Sequence, residues 1–405
     1  MNGAERLYYS NPRLGRSEAC VVAVEGPQSS PTIVLDRALL FPGGGGQPAD
    51  CGRVEGVEVA EISEAQGRPA VTLAAALNVQ PGSRVHVEVD MARRLDYACQ
   101  HTAEHLIAAS AWRLLGIRSV SVHFGPERSL VDFDAPSMSE SDLDTIEDEA
   151  NRIVAEHAPL RVHLCPPEDL SAFTLRRPPP AGEKDIRIVE IDGFDFTPCC
   201  GLHLESTGDL RFIRILGAER YKRMTRVYFI AGGRAASDYR ALSRIARETS
   251  RLLGTSEASL YQAVEREVAR RGAAERALAD LRRRNDERDA AAALEEAHAL
   301  QGSDCHGDPP PLAVRRYADR GAETLLDTAK VFASAGMTAL LASLPDLTIQ
   351  AVAPPNGPDL GKRLTPLLAA SSGRGGGGPA SFRAVFVDAG SLETFLAAVE
   401  AELRR

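Results

Sequence analysis

The stretch MARRLDYACQHTAEHLIAASAWRLLG (91–116) decides how the chain is read. Leu95, Ala98, Leu106, Ile107, Ala109 and Leu114 supply an apolar face at helical spacing. Gly116 is a stop signal, so the pattern predicts one helix from Met91 to about Leu115. Within it, HTAEH places His101 and His105 four residues apart. On a helix both imidazoles then share one face, roughly 5–6 Å apart at Cβ, which suits a common metal ion. A metalloprotease helix carries Glu directly after its first His. Here Thr102 stands in that place, and Glu104 is expected to point away from a metal held by the two histidines, which argues against that class.

The second half of the predicted site lies far downstream. PCCGLH (198–203) offers Cys199-x3-His203, or Cys200-x2-His203, in a glycine-containing loop. Two imidazoles from a helix with a thiolate and an imidazole from a loop form a tetrahedral donor set of zinc type. The chain has nine histidines, and three of them fall in these two short motifs.

Outward from the helix, residues 1–90 read as mainly β, with apolar strands at Ala19–Val24, Thr32–Leu35 and Val85–Val89 between Gly and Pro turns. LLFPGGGGQPADCG (39–52) must be a loop, since four consecutive glycines cannot hold a helix. After the helix come a hairpin (VSVHF, GPER, SLVDF), an amphipathic helix over Ser139–His157 with acidic early turns, and mixed strands and loops over 160–231. RRPPP (176–180) reads as an exposed turn. Ala235 to about Leu300 reads as two helices meeting near Leu253–Ser256, with Thr255 or Ser256 capping the second. QGSDCHGDPPP (301–311) reads as a linker, and Leu312–Arg405 as a small α/β unit with a second glycine loop, SSGRGGGGP (371–379). The expected class is α+β.

The 405 residues are 44% hydrophobic and 25% charged, which gives ample material for two or three packed domains. The net charge is −9, yet Arg211–Arg284 holds 18 Lys/Arg against 8 Asp/Glu. A basic segment of that kind can meet a polyanion despite the acidic total. Seven cysteines at irregular spacing do not form a disulfide framework. No apolar run reaches membrane-span length, and the first residues lack the core of a secretory signal. A cytoplasmic location is expected.

Five motifs in order, GGGGQPADCG (43–52), RR…QHTAEHL (93–106), VHFGPERSLVDFD (122–134), CCGLHLESTGDL (199–210) and RMTRVYFIAGGRA (223–235), resemble the editing domain of alanyl-tRNA synthetase and the free-standing alanyl-tRNA editing proteins called AlaX. The helical spacer and glycine-bearing tail resemble the C-terminal DHHA1-type domain of the same family, as in long AlaX. The resemblance implies four parts: a glycine-rich β-barrel-like domain (1–90), a zinc-binding editing domain (91–236), a helical spacer (237–304) and a DHHA1-like domain (305–405). It implies one zinc ion on His101, His105, Cys199 and His203, and hydrolysis of mischarged tRNA(Ala), above all Ser-tRNA(Ala). It also implies a homodimer through the tail and, without a synthetase catalytic domain, no charging activity. Gln47 and Thr102 are the expected catalytic contacts. Gly44, Gly45 and Gly46 are expected to line the pocket, with backbone N–H groups of Gly43–Gln47 as an oxyanion hole or simply a tight turn. Arg128, Arg226 and Arg374 are expected to meet the tRNA, and His123 is a further pocket candidate.

The sequence also departs from the family pattern. Cys200 and Leu202 replace a glycine and a threonine of its Cys-Gly-Gly-Thr-His loop, and Ala38 stands where a threonine is associated with reading the serine hydroxyl. A non-catalytic tRNA-binding protein with a structural zinc, or a deacylase for another ester, are the alternatives.

Overall fold

The computed structural model describes residues 5–65, 68–179, 185–301 and 310–404. The fold is α+β and divides into two compact units, residues 1–249 and 250–405.

In the first unit a short strand β1 (Glu5–Arg6) and a one-turn helix α1 (Leu7–Ser10) precede β2 (Arg16–Glu25), β3 (Thr32–Leu35), β4 (Arg37–Ala38), β5 (Gly52–Val54), β6 (Val57–Ala65), β7 (Arg68–Leu73) and β8 (Arg84–Val89). Six of these close into a barrel in the order β2-β3-β7-β6-β5-β8. Ile33, Leu35, Val54, Leu73, Val85 and Val87 fill it. Helix α2 (Met91–Leu115) follows. Its start is fixed by Asp90, whose side chain accepts from the Arg93 N–H, and its end by Gly116 at φ 69°, the left-handed cap that glycine adopts without strain.

The sequence pattern suggests one apolar face on α2, but every residue from Tyr97 to Ala111 is buried. The physical reason is its surroundings. β9 (Ser119–Phe124), β10 (Ser129–Phe133) and α3 (Glu140–Ala155) contact it, as do β13 (Asp195–Pro198) and β15 (Met224–Ala231). Small residues (Ala103, Ala108, Ser110, Ala111) allow that close approach. β9 and β10 form the expected hairpin inside a sheet ordered β14-β15-β10-β9, where β14 is Ile213–Tyr221. β11 (Leu160–Cys165), β12 (Ile186–Ile191) and β13 form a second antiparallel sheet. α3 begins in a reciprocal capping box between Ser139 and Asp142. Residues 180–184, which include the end of the RRPPP turn, lie outside the described residues.

Two helices follow, α4 (Gly233–Leu252) and α5 (Leu260–Gln301). Between them Ser256 opens a single 3-10 turn, and its hydroxyl donates to Ser259 Oγ rather than accepting from a helix N–H as a cap would. The linker expected at 301–311 lies almost wholly outside the described residues. In the second unit β16 (Leu312–Tyr317), α6 (Ala322–Ser334), β17 (Thr338–Ser343), β18 (Thr348–Val352), α7 (Leu360–Ala369), β19 (Arg374–Gly377), β20 (Ser381–Val385) and α8 (Ala389–Leu403) build a five-stranded sheet, β16-β17-β18-β20-β19, carrying helices.

The second glycine loop is corrected here, because Arg374–Gly377 is an edge strand paired antiparallel with β20. A Cβ on Gly375 or Gly377 would meet the carbonyl oxygens of Arg383 or Ser381 at 2.0 and 2.1 Å. Glycine is there because the two backbones approach closely, not because the segment bends.

A buried three-histidine, one-cysteine centre and its cleft

His101 and His105 project from the buried middle of α2, and Cys199 and His203 from the loop after β13. One donor atom from each lies within 4.8 Å of the others, and all four residues are buried. Cys199 Sγ is 3.3 Å from His101 Nε2 and 3.4 Å from His203 Nε2. His105 is completely buried, yet neither ring nitrogen has a hydrogen-bond partner. A buried imidazole left bare on both sides is costly unless something else occupies its lone pair. The set therefore fits a divalent metal, and the donor chemistry is that of zinc.

Two sequence candidates fix the protonation of these ligands. Gln47 Oε1 accepts from the Leu202 N–H at 2.9 Å and lies 3.0 Å from His101 Nδ1. An amide oxygen only accepts, so His101 carries its proton on Nδ1 and leaves Nε2 free for a metal. Thr102 donates its hydroxyl to the Ala98 carbonyl at 2.9 Å, and its oxygen accepts from the Leu204 N–H at 3.1 Å. That oxygen is 3.4 Å from His203 Nδ1, so Thr102 orients the second imidazole in the same way. Both residues are buried against ligands. Their contacts are those of positioning residues, where the sequence suggests direct contact with a substrate.

Burial also sets the charges. It pushes His101 down to about 3, with the Arg177 and Arg187 charges adding to the effect. His105 and His203 lie well below the usual histidine range for the same main reason. The Cys199 thiol is pushed up to about 11 by burial, partly offset by the Gly201 N–H and the two arginines. The imidazoles are thus ready as neutral ligands, while the thiol must lose a proton to bind a metal.

The glycine loop is a tight turn against this centre. Gly44 and Gln47 exchange both backbone hydrogen bonds, at 2.9 and 3.0 Å. Gly45 and Gly46 between them have φ of 62° and 82°, values that favour glycine. A Cβ on Gly45 would lie 3.3 Å from His101 and 3.7 Å from Cys199 Sγ. Because the turn consumes the N–H groups of Gly44 and Gln47, the five-residue oxyanion hole suggested by the sequence loses two of its donors. A buried ion pair holds the loop to α2. Arg94 Nε reaches Asp50 at 3.0 Å, Asp50 accepts from the Phe41 N–H at 2.7 Å, and Arg94 Nη2 donates to the Leu39 carbonyl at 2.6 Å.

Over the centre opens a cleft of about 360 Å³, bordered by Gly45, Arg177, Arg187, Pro198, Cys199 and Cys200. Sequence reasoning missed Arg177, Arg187 and Tyr9. Arg187 Nη1 donates to the carbonyls of Cys199 and Gly201 at 2.7 and 2.9 Å, and its guanidinium lies 4.5 Å from the Tyr9 ring centre. Tyr9 donates its hydroxyl to the Cys200 carbonyl at 2.6 Å. These two side chains hold three consecutive carbonyls of the metal loop. In IRIVEI (186–191) strand alternation puts Arg187 on the same face as Val189 and Ile191, and a charge in apolar register was the available signal.

The other candidates are placed elsewhere. Arg226 makes a two-point ion pair with Asp132, at 2.8 and 3.0 Å, and stacks on Tyr221, so it clamps β10 to β15. Arg128 is exposed, 4.1 Å from the Tyr228 ring. His123 is exposed on β9, while its neighbour Phe124 turns inward to pack 4.8 Å from His101. Arg374 is exposed on the edge strand of the second unit. Cys200 is exposed at the cleft and Cys199 buried below it, which supports Cys199 as the ligand of the two. Leu202 is buried in the core around α2, as is Ala38.

Residues 186–228 match the family described as threonyl and alanyl tRNA synthetase second additional domain. Among individual proteins, the chain is 36% identical over 205 residues to alanyl-tRNA editing protein Aarsd1-A of Xenopus laevis, covering 50% of this chain and 49% of that protein. It is 32% identical over 237 residues to Aarsd1 of Danio rerio, covering 58% and 57%. An alanine–tRNA ligase of Methanothrix thermoacetophila is 34% identical over 260 residues, covering 62% of this chain and 28% of the ligase. The chain is similar to proteins named as alanyl-tRNA editing proteins, and it spans about half the length of the curated relatives it matches first. Among the described residues no helix is long and apolar enough to cross a membrane.

Proposed function

We propose that this chain hydrolyses the ester joining a wrong amino acid to the 3′ end of tRNA(Ala), with Ser-tRNA(Ala) as substrate and one zinc ion per chain. The reading rests on the four buried donors beneath an arginine-bordered cleft, with the tautomers of two histidines fixed by Gln47 and Thr102. His101, His105, Cys199 and His203 would hold the ion, which when bound supplies Lewis acidity at the ester carbonyl or at a water. Gln47 and Thr102 keep two imidazoles presented as neutral ligands. The Gly44–Gln47 turn closes one side of the cleft, and the N–H groups of Gly45 and Gly46 are its remaining candidates for an oxyanion. The ring of Phe124 beside His101 helps keep bulk water from the centre.

The rest of the reading belongs to the same proposal. Residues 1–90 form the barrel part, 91–236 the editing part, 237–304 a helical spacer and 305–405 a DHHA1-like domain through which two copies pair. Arg128, Arg226 and Arg374 meet the tRNA, and the protein works in the cytoplasm. The rival is a closed structural zinc in a protein that binds tRNA without turnover, and the burial of all four donors favours it. The replacement of threonine by the core residue Leu202 and by Ala38 favours a third reading, a different ester.

Single-turnover deacylation of Ser-, Gly- and Ala-tRNA(Ala), with Cys199→Ala and His101→Ala beside wild type, tests the proposal. The expected result is rapid loss of the seryl ester that either substitution abolishes. Tight tRNA binding with no turnover on any of the three would overturn it.

A further inference from the structure

Among the described residues, the cleft over the candidate metal centre carries two guanidinium groups and no carboxylate. Neither Arg177 nor Arg187 forms an ion pair among the described residues; both are anchored on backbone carbonyls, Arg177 Nη2 on Pro198 at 2.8 Å and Arg187 Nη1 on Cys199 and Gly201. Their neighbour Arg176 behaves differently, since its Nε lies 3.0 Å from Asp195 Oδ1 in a buried pair. Arg187 is the more confined of the two cleft arginines, half-buried where Arg177 is exposed. Its Nε is buried without a partner among the described residues. Its Nη2 has no partner either among the described residues.

For the half-buried Arg187, which has no counter-charge among the described residues, an anion that enters the cleft would supply the balance. The floor does not supply that balance. Three neutral imidazoles and one thiolate around a divalent ion leave a net charge of +1. The aminoacyl group does not supply it either, because its carboxyl is an uncharged ester and its amine is a cation. The nearest anion in an aminoacyl-tRNA end is the phosphodiester on the 5′ side of the terminal adenosine. Guanidinium groups are well matched to that group, being planar, permanently charged and able to donate in pairs.

We propose that Arg187 and Arg177 bind the terminal phosphodiester of the acceptor strand, and so set the depth at which the ester reaches the metal centre. The inference rests on the deacylase reading above. Arg187 is anchored on the loop that carries the metal ligands, so phosphate binding and ligand placement share one side chain. These are positioning residues: they touch the substrate away from the bond that breaks.

The test uses the full chain loaded with zinc and two stable analogues, 3′-seryl-amido-3′-deoxyadenosine with a free 5′-hydroxyl and the same compound as its 5′-methyl phosphate. Calorimetry gives both affinities. In wild type the phosphate should tighten binding by about tenfold or more. Arg177→Gln and Arg187→Gln should each remove most of that advantage, measured as the ratio of the two affinities within one variant. Zinc content is measured alongside. If Arg187→Gln loses zinc, Arg177→Gln, which anchors no ligand residue, decides the matter. Equal affinities in wild type, or a ratio unchanged in a zinc-replete variant, overturn the phosphate site and leave the deacylase reading intact. If neither analogue binds the zinc-loaded protein, the deacylase reading falls with it.

Discussion

Replacing Thr102 by valine is the most direct probe of how the protein prepares its candidate metal site. The two side chains have nearly the same shape, so the change removes one hydroxyl from a fully buried position. That hydroxyl makes three contacts. It donates to Ala98 O at 2.9 Å, accepts from Leu204 N at 3.1 Å and faces His203 Nδ1 at 3.4 Å. Without it His203 has no fixed tautomer, and groups that orient a metal-bound histidine are typically worth about 10–100-fold in affinity, roughly 1.4–2.7 kcal/mol. The Leu204 N–H is also left unpaired beside a buried site, at a cost of about 1–3 kcal/mol in folding. Thr102→Ser keeps the oxygen and should retain most of both. Zinc affinity is measured by competition with a chromophoric chelator, and the stability of the metal-free protein by urea denaturation. If Thr102→Val binds zinc within about twofold of wild type, the hydroxyl does not orient His203 and the argument is wrong.

Zinc affinity should also rise with pH. The free Cys199 thiol is protonated below about 11, while His101 stays neutral above about 3. Between pH 6 and 8 one proton is therefore released per ion bound, and affinity should rise by about tenfold per pH unit. Calorimetry in buffers of different ionisation enthalpy counts that proton, and a pH-independent affinity would contradict the thiol as a ligand. Gly201→Ala should abolish stoichiometric metal binding, since its methyl group would sit 2.1 Å from His101 Cε1; metal analysis after dialysis reads this directly. Arg94→Met leaves Asp50 buried and unpaired, and removing one partner of such a pair costs about 3–5 kcal/mol. Denaturation should show that loss, and a change below about 1 kcal/mol would mean the pair does not anchor the glycine loop.

The clustering of the four candidate ligands was legible because local geometry fixes half of each motif. A spacing of four residues on a helix puts His101 beside His105, and a short loop puts Cys199 beside His203. The roles of Gln47 and Thr102 were not legible, since a sequence shows which residues adjoin a ligand but not the direction in which a side chain points. Arg226 and Arg187 show the same limit from opposite sides. Whether an arginine is free or committed depends on a partner far along the chain: Asp132 holds the first, and only backbone carbonyls hold the second. The strand at Arg374–Gly377 was hidden because a run of glycines gives no periodicity, although its pairing with β20 requires residues without side chains. Three of the six barrel strands, β2, β3 and β8, were readable as short apolar runs between Gly and Pro turns, but the burial of α2 on all sides was not, because it depends on which sheets and helices surround it.

The clasp of Tyr9 on the Cys200 carbonyl bears on where the functional unit starts. The motifs by which the chain is recognised begin at residue 43, and the ligands at residue 101. The aromatic ring that supports Arg187 and the metal loop is contributed from residue 9, ahead of the barrel and of every recognisable signature. A fragment cut at its motifs would keep all four ligands and lose part of the frame that holds two of them in place. Grafting this centre onto another protein would therefore have to include a segment that carries no chemistry of its own.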